Sequence, residues 1–146
     1  MKHLARLTTV AALLAVASPA LAGEDEVVLY KNPQCSCCEG YADYLRHNGF
    51  KVEVKPTHDL AEISRKAGVP PKLQGCHTSF IDGYVVDGHV PVATIRKLLS
   101  EKPAIAGIAL PGMPLGSPGM GGEKNSTFVI YSVTKDGKAP AVYNTE

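Results

Sequence analysis

The chain has 146 residues, four cysteines and no tryptophan, and its formal net charge at pH 7 is +1. This length suits a single domain with a modest core. No cluster of Lys and Arg interleaves with aromatic residues, so composition and charge argue against a nucleic-acid partner.

The N-terminus predicts a secretory signal peptide at residues 1–22. Lys2 and Arg6 precede an apolar segment at 7–17, and small residues then end in an Ala-x-Ala site at Ala22. The apolar segment is shorter than the roughly 20 residues that a membrane span needs. We therefore expect cleavage after Ala22, export to the periplasm and no stable membrane insertion of the mature chain. The alternative is an uncleaved membrane anchor.

The segment after the signal peptide predicts a strand, a helix and a second strand. The apolar residues 27–30 favour a buried strand, and a helical pattern at 36–48 should end at Gly49. Residues 50–54 alternate and favour the second strand. This order is typical of two parallel strands with a crossover helix.

The middle of the chain predicts a helix, a hairpin and a further helix. Asp59 and Glu62 match a capping box, in which Asp59 caps the helix start, and Gly68 should end the same helix. The dipeptide Asp82-Gly83 favours a tight turn between two strands. The expected elements are a helix from Asp59 to Ala67, strands at 78–81 and 84–86, and a helix at 92–100 that begins next to Pro91.

The C-terminal part predicts a long loop and a terminal hairpin. Residues 103–122 are rich in Gly and Pro, and long ordered loops often carry function. Strands at 127–133 and 139–143 should flank a turn at Asp136-Gly137. We expect an α/β fold of the thioredoxin-like type, with a mixed central sheet flanked by helices and a C-terminal hairpin extension. The expected divisions are the signal peptide at 1–22, a thioredoxin-like metal-binding domain at 23–122 that includes a Gly/Pro/Met loop at 103–122, and a hairpin at 123–146 packed on the same domain.

Three of the four cysteines lie at the predicted junction of the first strand and the first helix. Cys35 and Cys38 form a Cys-x-x-Cys motif, and Cys37 lies between them. The free N–H groups and partial positive charge of a helix N-terminus stabilise thiolates, which attack disulfides and bind metals. Alternatively, Cys35 and Cys38 form only a disulfide, catalytic or inert.

Cys76 is expected to face these three cysteines through the fold. The segment 81–83 matches the hairpin of glutaredoxin-like domains, in which a cis-proline before the third strand lies against the Cys-x-x-Cys motif. Alignment on this hairpin puts Cys76 or His77 at the proline position, and both residue types coordinate metals whereas proline does not. The alternatives are that Cys76 is a small buried residue and that His77 caps a strand end.

Four convergent thiols suit a soft metal, and the candidates are Zn²⁺, an iron–sulfur cluster and Cu(I). A single Cys-x-x-Cys unit disfavours zinc, and export disfavours an iron–sulfur cluster. Met113 and Met120 follow Pro-Gly pairs in the loop and would give Cu(I) thioether ligands, unless they only pack the loop on the core. We expect His47 and His89 to be surface residues and His58 to be structural.

Four segments together resemble one known family. They are 30–40, 75–78, 82–91 and 110–120, and the resemblance covers about residues 27–120. The pattern is similar to that of the CopG-type periplasmic copper-resistance proteins, long described as a domain of unknown function. The resemblance implies a thioredoxin-like fold with a cluster of several copper ions bridged by cysteines, and a role in converting Cu(I) and Cu(II). The implied ligands are Cys35, Cys37, Cys38 and Cys76.

Three functional hypotheses follow. The first is a periplasmic protein that holds several Cu(I) ions, with Met113, Met120 and His77 as auxiliary ligands or supporting groups, and with other periplasmic copper-handling proteins as partners. The second is a thiol–disulfide oxidoreductase with Cys35 and Cys38 as its catalytic residues. The third is a disulfide-stapled interaction domain. Enzymatic activity, as a copper or thiol oxidoreductase, is left open.

Overall fold

The computed structural model describes residues 25–136 and 138–146, and this part of the chain forms seven strands and three α-helices. The signal peptide expected at 1–22 lies outside the described residues, as does Gly137 of the expected terminal turn. The strands are β1 (Glu26–Lys31), β2 (Lys51–Pro56), β3 (His77–Ile81), β4 (Tyr84–Asp87), β5 (Gly107–Ala109), β6 (Val129–Val133) and β7 (Val142–Thr145). The helices are α1 (Ser36–His47), α2 (Leu60–Lys66) and α3 (Val92–Glu101), with a 3-10 turn at Pro71–Leu73.

All seven strands belong to one mixed sheet in the order β2-β1-β3-β4-β5-β6-β7. The pairs β1–β2 and β4–β5 are parallel, and the others are antiparallel. The expected α/β class, mixed sheet and C-terminal hairpin are therefore confirmed. The order of elements from β1 to α3 is the β-α-β-α-β-β-α order on which the thioredoxin-like interpretation rests.

The C-terminal ends of α1 and α2 agree with the predicted glycine stops, but the N-terminal end of α2 does not show the predicted capping box. Gly49 and Gly68 follow α1 and α2 with φ of +85° and +84°, which glycine adopts readily. The capping box is wrong, because the Asp59 side chain caps no N–H group of α2. The backbone of Asp59 has φ −99° and ψ 22° rather than the extended geometry of a side-chain cap. Glu62 instead forms ion pairs with two basic side chains of its own helix.

The expected loop at 103–122 contains a strand. Residues of β5 pair with β4 on one side and with β6 on the other, so the C-terminal hairpin continues the same sheet. A three-residue strand has too short a pattern to show period-2 alternation, and both of its partners are remote in sequence. The residues beyond it, 110–122, form the loop that bears on the site; we call them the strap.

Both faces of the sheet are covered. Val86 contributes to the larger core with residues of α1 and α3, such as Tyr41 and Ile95. Its neighbour Val85 points to the opposite face and packs with Val69, which follows α2. Each fully buried aliphatic side chain of this kind contributes roughly 1.5–3 kcal/mol to stability.

The strand register brings three chain segments to one edge of the molecule. In the antiparallel pair β1–β3, Lys31 at the end of β1 lies opposite His77 at the start of β3. In the hairpin β3–β4, Thr78 lies opposite Asp87 at the end of β4. The turn into α1, the residue before β3 and the residues after β4 therefore meet. Among the described residues, no helix is both long and apolar enough to cross a bilayer.

Candidate metal centre

Three cysteines lie at the N-terminus of α1. Cys35 precedes the helix with φ −78° and ψ 100°, and Cys37 and Cys38 are in its first turn. A disulfide joins Cys35 to Cys38, whose Cα atoms are 5.5 Å apart. Cys38 is fully buried, whereas Cys35 and Cys37 are partly exposed. Cys35 and Cys38 can bind a metal as thiolates only after this bond is reduced.

Cys76 completes the cluster from the other side. Its Sγ lies 3.3 Å from Sγ of Cys38 and 3.7 Å from Sγ of Cys37, which is itself 3.4 Å from Sγ of Cys35. All four sulfurs lie within 4.8 Å of one another. The pairing of β1 with β3 fixes this approach, since the N–H of Asn32 donates to the carbonyl of Cys76 at 3.5 Å. The geometry is one that could hold a metal ion.

Asp87, at the end of β4, is a buried carboxylate that holds the segment before Cys76. Its Oδ1 accepts the N–H of Gly75 at 2.6 Å, and its Oδ2 accepts the hydroxyl of Thr78 at 2.7 Å. Ser64 Oγ of α2 lies 2.7 Å from Thr78 Oγ1 and extends this network. Burial raises the pKa of Asp87 to about 6, although both hydrogen bonds oppose the rise. The network fixes the backbone next to the fourth cysteine.

Lys31, at the end of β1, holds the turn before α1 through its buried side chain. Its side chain is 3% exposed, and Nζ forms an ion pair with Glu39 Oε1 at 2.9 Å. Nζ also donates to the carbonyls of Asn32, Pro33 and Cys35 at 3.1–3.3 Å. A buried cation thus ties the turn that carries the first cysteine to the first turn of the helix.

His77 is fully buried behind Cys76. Its Nδ1 lies 3.8 Å from Sγ of Cys76, and its Nε2 has no hydrogen-bond partner in the described part of the chain. The ring packs on Tyr41 with centroids 4.5 Å apart and meets the ring of His89 edge-on at 4.8 Å. Burial, assisted by His89, lowers the pKa of His77 to about 3. The imidazole is therefore neutral at pH 7, which is its ligand form.

His89 is also fully buried, so its assignment to the surface is wrong. Gly88 turns the chain inward with φ +76°, at a position where a Cβ would lie 2.3 Å from the carbonyl oxygen of Leu110. The Nδ1–H of His89 donates to the carbonyl of Pro118 in the strap at 2.7 Å, and Nε2 lies 3.6 Å from Sγ of Cys76. Burial lowers the pKa of His89 as well.

The strap lies directly on α1. Gly119 has φ +80°, and a Cβ there would lie 2.5 Å from the backbone nitrogen of Tyr41 and 2.8 Å from the carbonyl oxygen of Cys37. Backbone therefore contacts backbone at the turn of α1 that carries the cysteines. A hydrogen bond from the N–H of Met120 to the carbonyl of Ser117 at 2.9 Å shapes this part of the strap.

The two strap methionines differ in exposure. Met113 is 40% exposed, so it does not fill the core, and Met120 is partly buried. Leu115 between them is 52% exposed. The strap thus presents the Leu115 side chain and the Met113 thioether to solvent. Coordination of a metal by these methionines stays a prediction.

The electrostatic surroundings of Cys76 favour the protonated thiol. Burial, together with the neighbouring sulfur of Cys37 and the charge of Asp87, raises the pKa of Cys76 well above its ordinary value. A metal bound by this sulfur must displace the proton, which makes the affinity depend on pH. The expectation that the N-terminus of α1 stabilises thiolates concerns Cys35, Cys37 and Cys38 and does not extend to Cys76.

The structure thus brings together Cys35, Cys37, Cys38, Cys76 and His77, five residues that the sequence singled out. His47 is exposed as expected, and its Nδ1 lies 2.7 Å from the carbonyl oxygen of Asp43. His58 is exposed.

Three residues of the site were missed from the sequence: Lys31, Asp87 and His89. A signal existed for two of them, because Asp87 and His89 interrupt an otherwise apolar stretch at 85–92. Polar residues in such a stretch are often buried with partners.

Comparison with known proteins gave the following matches. The model of a family described as a protein of unknown function, DUF411, matches residues 73–120. A solved structure titled "Copper resistance protein copG- Form 2" is 35% identical with a TM-score of 0.78, and the match covers 84% of this chain and 98% of that one. A structure titled "Form 1" of the same protein is 36% identical with a TM-score of 0.76, over 83% and 96% of the two chains. No curated protein sequence gave a significant match.

Proposed function

The chain belongs to the CopG-type family of copper-resistance proteins, and from this premise we propose that it is a periplasmic copper-binding protein. In its reduced form it holds several Cu(I) ions bridged by Cys35, Cys37, Cys38 and Cys76. It contributes to copper resistance by sequestering copper or by converting Cu(I) and Cu(II). Copper is the cargo of the site.

The observation that carries this proposal is the convergence of four sulfurs from two remote segments. Three come from the segment 35–38 at the N-terminus of α1 and one from the residue before β3, and all lie within 4.8 Å of one another. Disulfide exchange needs only two cysteines, and a structural staple needs no free thiol, yet Cys37 and Cys76 are free. Thiolate-rich sites select soft ions such as Cu(I).

Several ions fit this arrangement better than one. Sγ of Cys76 lies 3.7 Å from Sγ of Cys37 and 3.3 Å from Sγ of Cys38, so one sulfur is close to two others that adjacent residues of the helix carry. A thiolate has more than one lone pair and can bridge two ions. A shared set of four thiolates therefore supports a small cluster.

The Cys35–Cys38 disulfide makes copper loading depend on the redox state of the protein. Reduction adds two electrons and two protons and turns one bridge into two thiols. Copper then replaces the thiol protons. The oxidised protein should hold fewer Cu(I) ions than the reduced one, because half of its sulfur ligands are bonded to each other.

The decisive experiment is an anaerobic titration of the reduced mature protein with Cu(I), followed by metal analysis. We expect more than one Cu(I) per chain, with spectroscopic behaviour typical of a thiolate cluster. The protein with its disulfide intact is the matched control, and it should retain less Cu(I). Tight one-to-one binding of Zn²⁺ together with weak uptake of Cu(I) would refute the proposal.

Thiol–disulfide exchange is a second candidate function, favoured by the disulfide itself. It lies at a helix N-terminus, and the free sulfur of Cys76 is 3.3 Å from the sulfur of Cys38. A Cys37→Ser variant separates the two functions. It should retain exchange with a dithiol if Cys35 and Cys38 are catalytic, and it should lose copper capacity if the cluster is the function.

Export is part of the proposal and is tested separately. We expect the full chain, expressed in a bacterium, to appear in the periplasmic fraction with Gly23 as its first residue. Protein sequencing of the N-terminus checks the cleavage site. A chain that begins at Met1 in the membrane fraction would favour the uncleaved anchor.

A further inference from the structure

We propose that Asn125 is an acceptor site for N-linked glycosylation, to which an oligosaccharide is transferred from a lipid-linked donor after export. The site lies in the exposed segment 123–127, which we call the acceptor loop. The inference goes beyond copper binding, and it rests only on the export that is part of the proposed function.

The first argument is the sequence of the acceptor loop. Asn125 is followed two positions later by the hydroxyl residue Thr127, and Ser126 rather than proline lies between them. This is the acceptor motif of N-glycosylation in exported proteins. The other asparagines of the chain, at 32, 48 and 144, have Gln, Phe and Glu at the corresponding position. Glu123 adds an acidic side chain two residues before Asn125, as bacterial oligosaccharyltransferases prefer.

The second argument is the accessibility of the acceptor amide. All five residues of the acceptor loop are exposed, and the loop belongs to no helix or strand. Within the described part of the chain, neither the backbone nor the side chains of 123–127 form a hydrogen bond. The amide of Asn125 and the hydroxyl of Thr127 can therefore bind to an enzyme without loss of a contact inside the protein.

The third argument is that the acceptor loop is held at both ends. A Cβ on Gly116 would lie 2.4 Å from the backbone nitrogen of Lys124, so the strap contacts the loop there. Lys124 Nζ lies 4.6 Å from the centroid of the Phe128 ring. Phe128 is buried, and its backbone pairs with Glu146 through hydrogen bonds of 2.6 and 3.0 Å. Residues 125–127 thus project between two attached positions of the folded domain.

The surroundings of the acceptor loop leave room for a bulky polar group. The nearest side-chain contact of a Cβ built on Gly122 is Leu115 at 3.5 Å, and Leu115 is itself 52% exposed. Three residues of chain span at most about 11 Å, so Asn125 lies within that distance of this exposed part of the strap. An oligosaccharide on Asn125 therefore meets solvent and the strap surface, and no buried side chain has to move.

The transfer is a substitution at the first carbon of the oligosaccharide. The bond from this carbon to the pyrophosphate of the lipid carrier breaks, and a bond to Nδ2 of Asn125 forms. The amide loses one proton, and the lipid pyrophosphate is the leaving group. Neither the protein nor the donor is oxidised or reduced, so the reaction does not depend on the state of the cysteines.

The test uses the folded mature protein with its disulfide intact. It is incubated with a purified bacterial oligosaccharyltransferase and a lipid-linked oligosaccharide, and a standard acceptor peptide serves to show that the enzyme is active. We expect the mass of the protein to increase by one oligosaccharide per chain. Fragmentation of the modified peptide should place the added mass on Asn125.

Thr127→Val is the sharpest variant, because it removes the hydroxyl of the motif and keeps the shape of the side chain. We expect modification to be lost in Thr127→Val and retained in Thr127→Ser. Asn125→Gln should also abolish it, and Glu123→Gln should reduce the modified fraction at a fixed time severalfold. Ser126→Ala is the matched control and should change nothing, since this position of the motif only excludes proline.

Three results would overturn the inference: an unmodified protein beside a modified acceptor peptide, an oligosaccharide on a residue other than Asn125, or full modification of Thr127→Val. Titration with Cu(I) of the reduced protein, before and after modification, keeps this inference apart from the proposed function. Normal copper uptake by a protein that is never modified removes the acceptor site and leaves the function. Failure of copper uptake by a protein that is modified at Asn125 removes the function and leaves the acceptor site.

Discussion

Cys76 is the proposed ligand whose protonation state in the metal-free protein differs from the one that metal binding requires. Its surroundings hold the pKa of the thiol well above its ordinary value, yet a metal needs the thiolate. The free energy of metal binding must therefore include removal of the proton. Affinity should rise with pH at this ligand, and a change of the sulfur should affect metal binding far more than folding.

We predict that Cys76→Ser lowers the Cu(I) capacity of the reduced protein by about one ion per chain, because the cluster loses the one cysteine that lies outside the segment 35–38. Ser has nearly the same shape, so the change in unfolding free energy should stay below about 1 kcal/mol. Metal analysis and thermal melts measure the two effects. Ser36→Ala, at an exposed position of the same motif, should change neither. Unchanged stoichiometry in folded Cys76→Ser would remove this cysteine from the site.

His77 should make the metal-free protein sensitive to acid. Its pKa is lowered to about 3 in the folded chain, and the ordinary value of about 6.5 applies when it is unfolded. Below pH 6.5 the unfolded chain therefore binds a proton that the native chain does not, and the free energy of unfolding falls as the pH falls. Asp87 acts in the opposite direction between its ordinary pKa and about 6, so only a comparison with a variant isolates the histidine.

We predict that wild type loses about 2 to 3 kcal/mol relative to His77→Phe between pH 7 and pH 4.5. Phe keeps a ring against Tyr41 but cannot be protonated. Urea unfolding of both metal-free proteins at several pH values measures the difference. Parallel stability curves would mean that His77 is protonated in the native protein at pH 4.5.

At the scale of the elements, the strap and α1 form the wall of the site. Their contact is backbone against backbone at Gly119, and the same strap accepts the hydrogen bond of His89 through Pro118. Movement of the strap should therefore alter both the cover of the cysteine turn and the orientation of one histidine.

We predict that Gly119→Ala destabilises the protein by about 2 to 4 kcal/mol and weakens copper retention. A positive φ costs about 1–2 kcal/mol for a residue with a Cβ, and contact with the α1 backbone adds the cost of a forced shift. Gly121→Ala is the matched control, because Gly121 has φ +69° but open space around it, so only the smaller cost applies. Thermal melts and competition with a Cu(I) chelator measure both effects. Equal losses in the two variants would argue against the tight contact.

Met113 and Met120 allow a test of the strap as a source of ligands. Leu conserves their volume and hydrophobicity, so the double change to Leu should cost less than about 1.5 kcal/mol of stability. If thioethers help to hold copper, the same protein should release Cu(I) to a chelator more readily, since Leu has no lone pair. Unchanged retention would leave the strap as a cover only.

At the scale of the whole molecule, one sheet joins the metal-site end to the C-terminal hairpin. Thr94 of α3 is fully buried, and its hydroxyl donates to the Glu146 carboxylate and accepts from Asn144 Nδ2 at 2.6 Å. The end of β7 is thereby attached to the helix layer. The hairpin should unfold together with the rest of the domain.

We predict that Thr94→Val lowers the free energy of unfolding by about 1 to 3 kcal/mol, because two polar partners lose their shared hydroxyl. The transition should remain single, and copper uptake should be unchanged. Ser100→Ala, which removes an exposed hydroxyl from the same helix, should have little effect. A separate early transition in Thr94→Val would show that the hairpin unfolds on its own.

Much of the fold was accessible from the sequence, because its signals are local. The Asp82-Gly83 turn, the glycines after α1 and α2 and the apolar runs each act within a few residues, and all of them correspond to observed elements. Strand β5 was not accessible, because a three-residue strand is stabilised by pairing with β4 and β6 rather than by its own pattern.

The sequence by itself determined which thiols the site contains, since the Cys-x-Cys-Cys turn and Cys76 can be read directly. Only the tertiary structure decided which groups meet. Lys31 and His77 become neighbours through the antiparallel register of β1 and β3, and His89 is buried where its Nδ1–H donates to the carbonyl of Pro118 in the strap. Burial then lowers the pKa of both histidines and raises that of Cys76. These effects depend on long-range packing and desolvation, and no local sequence pattern encodes them.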